Sequence, residues 1–145
     1  MKDFKEPDIL KIVSSELDKF IKERPKEHML YYFIGILLLY KHDFENALEN
    51  FYTAIEGCDC KVSKYHLGRA RCYAGMSMFK EAIKDLNKSI EANDSLVEAF
   101  VLRGKCNFIT GNTNSSFEDF KQVIKLNSVI FIRMILLFTF KQEIF

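Results

Sequence analysis

Small and large apolar residues recur at helical spacing in three stretches of the chain, which begin at Phe44, Phe79 and Thr113 and lie 35 and 34 residues apart. In each stretch a small residue is followed four positions later by a large apolar one. Three positions further comes a packing residue, and an isoleucine directly follows it. In order, these positions are Ala47, Ala82 and Ser116; Phe51, Leu86 and Phe120; Ala54, Ser89 and Val123; and Ile55, Ile90 and Ile124. Spacings of four and three place residues on one helix face, so each stretch predicts an amphipathic helix.

A second helix is predicted upstream of each stretch, in the same register. Its pattern combines a position for close helix–helix approach with an aromatic or histidine position one turn earlier. These positions are Gly35, Ala70 and Gly104, and Tyr31, His66 and Phe100. Turn-forming residues separate the two helices of each pair at 41–43, 75–77 and 111–113. The sequence therefore predicts three helix–turn–helix units, over residues 28–62, 63–96 and 97–127.

This unit resembles the tetratricopeptide repeat, a family with a period of about 34 residues and an alanine–aromatic–alanine pattern in its second helix. The resemblance covers roughly residues 28–127. It implies an all-α fold in which the hairpins stack as a right-handed superhelical solenoid. Asp59, Asp94 and Ser128 stand where the family usually has a proline after the second helix, and Val123 is larger than the family's small residue.

Residues 1–27 are predicted to form an N-terminal capping helix. An apolar stripe follows helical spacing within Asp8–Glu23, and its members are Ile9, Val13, Leu17, Phe20 and Ile21. Pro25 lies where the second helix of a preceding repeat would end. Whether it is a cap or a decayed half-repeat, such a helix would cover the first hairpin, because a solenoid needs a terminal element with one polar face.

Residues 128–145 are predicted to form a C-terminal apolar helix whose role the sequence leaves open. Val129–Phe140 is apolar on every side except at Arg133 and Thr139. A bilayer span needs about 20 apolar residues, so this run does not predict a membrane helix. Three interpretations remain. The helix docks on the last hairpin, it forms a homo-oligomer interface through residues 129–145, or it begins a further repeat of a longer array.

Charge and targeting signals narrow the classes of function. The chain has 21 Lys and Arg against 20 Asp and Glu, for a net charge of +1. Nucleic-acid binding is not predicted, because it would need a local basic stripe. Residues 1–11 lack the apolar run of a secretory signal, so we expect a cytoplasmic protein with reduced thiols.

No motif for catalysis, a metal or a cofactor is present in the sequence. Cys58 and Cys60 are one residue apart and lack the second pair of a zinc site. Cys72 and Cys106 share one repeat position and are predicted to pack as small apolar residues. The six glycines form no phosphate-binding loop. The sequence therefore predicts a non-enzymatic protein without a cofactor.

The resemblance implies that the first helices of the hairpins line a concave groove. In this register the groove residues are Tyr32, Ile36, Leu39, Tyr40, Lys64, Leu67, Arg71, Val101, Lys105 and Phe108, together with Ala74 and Glu98. The groove is aromatic and apolar at the first hairpin and basic beyond it. This favours an adaptor or assembly subunit that binds an extended peptide with acidic groups beside an apolar anchor.

Two alternatives to this groove remain open. The basic groove residues could be solvated charges without a ligand, or the chain could be a self-associating or membrane-proximal structural protein that uses its apolar C-terminal segment. One subclass of the family clamps the C-terminal carboxylate of heat-shock chaperones with Lys and Asn in its first repeat. Tyr32 and Ile36 occupy those positions here, which argues against the chaperone-tail mode.

Overall fold

Helices are the only regular secondary structure in the described part of the chain. The computed structural model describes residues 6–58 and 62–142, with side chains described for 11–58 and 62–129 and for Ile9 and Ile132. The helices are α1 Glu6–Glu23, α2 His28–Tyr40, α3 Phe44–Glu56, α4 Ser63–Gly75, α5 Phe79–Ala92, α6 Val97–Ile109 and α7 Thr113–Gln142. Helices α2 and α3, α4 and α5, and α6 and the start of α7 form three hairpins, as predicted.

The three hairpins turn with the same backbone geometry. The turn residues His42, Ser77 and Gly111 are repeat-equivalent and have left-handed φ angles of 59°, 60° and 82°. The amide after each turn residue donates to a carbonyl five residues earlier, from Asp43 to Leu38 (2.9 Å), from Met78 to Tyr73 (2.8 Å) and from Asn112 to Asn107 (2.8 Å). This arrangement satisfies carbonyls at the end of each first helix. Two of the three turns adopt it with a side chain that disfavours that φ.

The hairpins stack because one aromatic ring fills the space between two glycines. Phe51 of α3 is fully buried. A methyl group on Gly35 would lie 2.8 Å from Phe51 Cζ, and one on Gly68 would lie 2.6 Å from the same atom. Gly35 belongs to the same hairpin as Phe51, whereas Gly68 belongs to the next one. The ring therefore sets the spacing both within the first hairpin and between the first and second hairpins.

The second and third hairpins are joined by a larger apolar cluster. Its buried members are Leu67, Ala70, Ala82, Leu86, Ala99 and Cys106, with Tyr73, Ile83, Ile90 and Leu102 packed around them. The small residues predicted for the second helices, Ala47, Ala82 and Ser116, are all buried. The predicted register of the three repeats is therefore confirmed in the packing.

Helix α7 differs from the predicted C-terminal organisation. We expected the third hairpin to end at residue 127 and a separate helix to follow, but α7 continues without a break from Thr113 to Gln142. No proline interrupts it, and the Ser128 hydroxyl donates to the carbonyl of Ile124 at 2.8 Å, one turn earlier. The backbone therefore stays helical at the position where the family usually ends the second helix.

The outer face of α7 is uncovered over the residues whose side chains are described. Phe120 is 37% exposed, whereas Phe51 and Leu86, at the equivalent positions of the first two hairpins, are fully buried by the hairpin that follows. Phe117 and Ile124 on the same helix are also exposed. The face that stacks on a neighbour in the first two hairpins is thus open in the third.

Helix α1 packs only against α2 among the described helices. Its stripe is incompletely covered, since Leu17 and Ile21 are partly buried while Ile9, Val13 and Phe20 stay exposed. A described link near the α1–α2 junction is the Tyr31 hydroxyl, which donates to the carbonyl of Pro25 at 3.0 Å. The helix covers one end of the first hairpin, as a cap would.

Candidate peptide-binding groove

The first helices of the hairpins form the inner side of the stack. Helix α2 contacts α4 and α4 contacts α6, whereas among the described residues α3 does not contact α5 and α5 does not contact α7. Elements lie closer together on the inside of a curve than on the outside. The geometry therefore assigns α2, α4 and α6 to the concave surface.

An aromatic cluster forms the first-hairpin end of this surface. The Tyr32 ring lies 5.0 Å from the ring of Tyr65 on α4 and 5.9 Å from that of Phe51, measured between centroids. Ile36 and Leu39 are partly buried beside Tyr32. Tyr40 is more than half exposed. Tyr32, Ile36 and Leu39 therefore pack against the core of the first hairpin, and their role in binding a ligand stays a prediction.

Tyr32 and Arg71 link the aromatic part of the groove to its basic part. Burial raises the pKa of the Tyr32 hydroxyl, and the positive charge of Arg71 acts in the opposite direction. That electrostatic effect requires the guanidinium of α4 to lie near the phenol of α2. An aromatic surface and a cation are thus neighbours across the first two hairpins.

Three groove cations carry no compensating charge. Lys64, Arg71 and Lys105 are exposed. None of them makes an ion pair or side-chain hydrogen bond with another described residue. Glu98, at the position equivalent to Lys64, is the predicted acidic residue of the groove. The cations are therefore available to a ligand carrying negative charge.

Two other arginines on the same helices are fully neutralised. Arg69 donates two hydrogen bonds to Asp85, at 2.6 and 2.7 Å. Arg103 donates to Asp119 at 2.6 Å from Nη2 and at 3.1 Å from Nε. Both carboxylates are almost completely buried. These pairs join the first and second helix within a hairpin, and each balances the arginine charge with a carboxylate of the same hairpin.

The Asp85 carboxylate is held in its charged form by its neighbours. Burial alone would raise its pKa, but the hydrogen bonds and positive charge of Arg69, with a smaller contribution from nearby His66, bring the pKa below the ordinary aspartate value. His66 Nδ1 lies 3.6 Å from an Asp85 oxygen and is buried without a hydrogen-bond partner among the described residues. The hydrogen bond to Asp85 raises the pKa of Arg69. The pair is therefore ionised at neutral pH.

The structure places Leu67 differently from the predicted groove. Leu67 is 6% exposed and belongs to the core between the second and third hairpins. Helix α4 packs against neighbours on both sides, so less of its surface is left for a ligand. Val101 is partly buried and Phe108 is 66% exposed at the third hairpin. The candidate groove without Leu67 stays a prediction for ligand contact.

The three described cysteines lie in two kinds of environment. Cys72 and Cys106 are free and buried in the core, in agreement with their predicted packing role. Burial raises the pKa of the Cys72 thiol to about 12 and raises that of Cys106. Cys58 is disulfide-bonded, which corrects the expectation that all thiols are reduced. Among the described residues, no group of three His, Cys, Asp or Glu side chains is placed to hold a metal ion.

Sequence reasoning missed two residues that shape this surface. Tyr65 contributes a ring to the aromatic cluster, and Gly68 admits Phe51 between the hairpins. Neither position carries the same residue type in the other two repeats, so comparison of the repeats could not reveal them. Within the part of the chain that the structure describes, no helix is long and apolar enough to cross a bilayer.

Stacked helix hairpins with a first-helix inner surface define the class of α-solenoid repeat proteins. Similar sequences and solved structures indicate which kind of helical repeat this is. No family model matches the chain. The chain is 29% identical over 87 residues to human DnaJ homolog subfamily C member 7, which covers 60% of this chain and 17% of the relative. It is 33% identical over 94 residues to chicken DnaJ homolog subfamily C member 3, covering 65% of this chain and 18% of the relative.

Solved structures of similar fold superpose on most of this chain. MamA residues 41 to the end, from Desulfovibrio magneticus RS-1, superposes with a TM-score of 0.75 at 18% identity, covering 83% of this chain and 67% of MamA. The second TPR of Spaghetti (RPAP3), bound to HSP90 peptide SRMEEVD, gives 0.67 at 24% identity, covering 72% of this chain and 97% of that domain. The hairpins of this chain have the fold of tetratricopeptide repeats. The chain spans less than a fifth of the length of the curated relatives named above.

Proposed function

We propose that the chain is an adaptor module that binds an extended acidic peptide along the concave surface of α2, α4 and α6. The observation that carries this proposal is that three exposed cations at groove positions, Lys64, Arg71 and Lys105, have no ionic or hydrogen-bond partner among the described residues. Arg69 and Arg103, on the same helices, are neutralised by buried carboxylates. Free cations beside an aromatic cluster match a ligand with carboxylates next to an apolar anchor.

The ligand is recognised through its acidic side chains. A structure of the same fold holds the HSP90 peptide SRMEEVD, which contains two glutamates and an aspartate. Tyr32 and Ile36 replace the Lys and Asn that clamp a terminal carboxylate in one subclass of the family. We therefore expect binding to depend on acidic side chains within the peptide and to be indifferent to whether its C-terminus is free or amidated.

Fluorescence anisotropy with labelled SRMEEVD tests this proposal. The matched probes are the same peptide with glutamine and asparagine in place of its acids, and the same peptide with an amidated C-terminus. We expect the acidic peptide to bind at least about tenfold more tightly than the amide-side-chain peptide, because two or more charge-assisted contacts are lost. Affinity should fall as the salt concentration rises.

A pair of double variants identifies the surface. Arg71→Glu with Lys105→Glu reverses two groove charges and should abolish the preference for acidic peptide. Lys84→Glu with Lys88→Glu makes the same change in net charge on exposed positions of α5 and should preserve it. Equal affinity for acidic and amide peptides, or equal losses in both double variants, would refute the groove assignment. Circular dichroism checks that both variants keep their helix content.

A second candidate function is self-association through the open face of α7. It is favoured by the exposure of Phe117, Phe120 and Ile124, and the equivalents of Phe120 in the other hairpins, Phe51 and Leu86, are fully buried. Exposed apolar faces of this kind mark interaction sites. Light scattering on the full chain tests it, since Phe117→Glu with Ile124→Glu should convert an oligomer to a monomer. A monomeric full chain at high concentration would exclude this function. The predicted cytoplasmic location stays a proposal that cell fractionation would test.

A further inference from the structure

One arginine position connects each hairpin to the hairpin before it. Arg69 and Arg103 are 34 residues apart, and each is held by the aspartate 16 residues later in its own hairpin. Each also reaches a side chain on the second helix of the preceding hairpin. These side chains are Tyr52 for Arg69 and Asn87 for Arg103. The two junctions therefore share an arginine–aspartate pair and differ in the side chains that pack beside it.

The first junction is filled by two tyrosine rings. The Arg69 guanidinium carbon lies 4.4 Å from the centroid of the Tyr52 ring. The hydroxyl of Tyr52 is 2.6 Å from that of Tyr73 on α4, within hydrogen-bond distance. Burial and this hydrogen bond raise the pKa of Tyr73 to about 12. A guanidinium over an aromatic face is attracted by the ring quadrupole, so this filling stabilises the junction.

The second junction has asparagines at both tyrosine positions. Asn87 replaces Tyr52 and Asn107 replaces Tyr73 in the repeat register. The Arg103 guanidinium donates to Asn87 Oδ1 at 2.7 Å, and Asn107 Nδ2 donates to Asp119 Oδ2 at 3.1 Å. The missing rings leave a pocket of about 470 Å³, which Ile83, Asn114, Ser115 and Glu118 also line.

The guanidinium of Arg103 is more open than its counterpart. Its side chain is 22% exposed, against 11% for Arg69. Its carbon lies 5.5 Å from the centroid of the Phe100 ring, a contact with an aromatic group of its own helix. In the first junction the corresponding guanidinium, that of Arg69, lies over the Tyr52 ring of the preceding hairpin. Among the described residues Arg103 has no such aromatic contact from the preceding hairpin.

We propose that the pocket between the second and third hairpins binds a tyrosine side chain of a partner polypeptide. The phenol ring lies against the Arg103 guanidinium, as Tyr52 lies against Arg69, and its hydroxyl hydrogen-bonds to the amide of Asn87 or Asn107. The first junction indicates the chemistry of the ligand, because there the chain places its own phenol rings beside the equivalent arginine–aspartate pair. None of the candidate groove residues lines this pocket, so the proposal does not depend on the proposed function.

The test uses N-acetyl-tyrosinamide as the probe and the isotope-labelled full chain as the receptor. Titration followed by amide chemical shifts should give saturable changes at Asn87, Arg103 and Asn107. N-acetyl-leucinamide should bind at least about fivefold more weakly, because it offers no π-face to the guanidinium. Absent or unsaturable shifts, or equal affinity for the two amides, would overturn the proposal.

Two variants fix the site. Asn87→Tyr restores the residue of the first junction, so it should fill the pocket and reduce probe affinity about tenfold or more while the chain stays folded. Lys88→Tyr adds a tyrosine at the next position, which does not line the pocket, and should leave probe affinity unchanged. Unaltered binding by folded Asn87→Tyr contradicts the assignment.

A third variant covers the case in which the new tyrosine prevents folding. Arg103→Lys keeps the positive charge that Asp119 needs and removes the planar guanidinium. It should reduce the preference for tyrosinamide over leucinamide to near unity. A preference that stays at its wild-type value in this variant would overturn the proposal as well.

Discussion

Substitution of Gly68 by alanine should destabilise the chain although alanine is the better helix former. The added methyl would lie 2.6 Å from Phe51 Cζ and 2.9 Å from Cδ1, well inside van der Waals contact. The ring has little room to retreat toward α2, because a methyl group on Gly35 would already lie 2.8 Å from Phe51 Cζ. Overpacking of this kind costs about 3 kcal/mol, and the helix propensity of alanine offsets about 1 kcal/mol. The expected net loss is about 2 kcal/mol, or roughly 6 °C in melting temperature.

Denaturant unfolding followed by circular dichroism measures this loss, and a double-mutant cycle assigns it to the ring. Phe51→Leu is the matched background, because Leu86 occupies the same position in the second hairpin. In that background Gly68→Ala should cost less than about 1 kcal/mol, since leucine leaves room for the methyl. A Gly68→Ala variant as stable as wild type, or strictly additive effects in the cycle, would refute the role given to this glycine.

Three further predictions concern the turn, the buried pair and the thiols. Gly111→Ala should cost about 1 kcal/mol in denaturant unfolding; its methyl would contact nothing within 4 Å, so any loss measures the left-handed φ alone. Asp85→Asn should cost about 3 kcal/mol at neutral pH. Because folding lowers the Asp85 pKa, the stability advantage of wild type over Asp85→Asn should be lost as pH falls below about 4. The free energies of unfolding of the two proteins, measured at a series of pH values, should therefore converge. A difference that does not change with pH would contradict the ion pair. Cys72 and Cys106 should react with a thiol reagent only in denaturant, as judged by mass spectrometry, and rapid native reaction would contradict their burial.

The fold was predictable because the same pattern occurs three times in one register. A single stretch of small and large residues fits many helices, but three copies at a common offset define a hairpin unit. The end of the last hairpin was not predictable in the same way. It depends on a stop signal after the second helix, and Ser128 supplies none, since its hydroxyl bonds back to the helix. Nothing in the local sequence separates a continuing helix from a new one.

The groove was predictable only in part, because the repeat register predicts which helix face a residue occupies but not how deeply its side chain is buried. Leu67 occupies a groove position by register, yet the packing of α4 between α2 and α6 buries it. Gly68 was missed for the opposite reason. Its equivalents are Phe33 and Leu102, so repeat comparison gave no sign of a close approach there. The pocket beside Arg103 required knowledge of which side chains meet across hairpins, and that comes from the structure.

Although the net charge of the chain is near zero, paired and unpaired cations lie on different faces of the same helices. Arg69 and Arg71 are two residues apart, which places them about 200° apart around α4, and Arg103 and Lys105 have the same relation on α6. Arg69 and Arg103 each pair with a buried aspartate, while Arg71 and Lys105, at the predicted groove positions, have no partner among the described residues. Charge reversal should therefore have opposite consequences two residues apart. At Arg69 it would bury like charges beside Asp85 and unfold the junction, whereas at Arg71 it would leave stability intact and remove the groove's attraction for an acidic peptide.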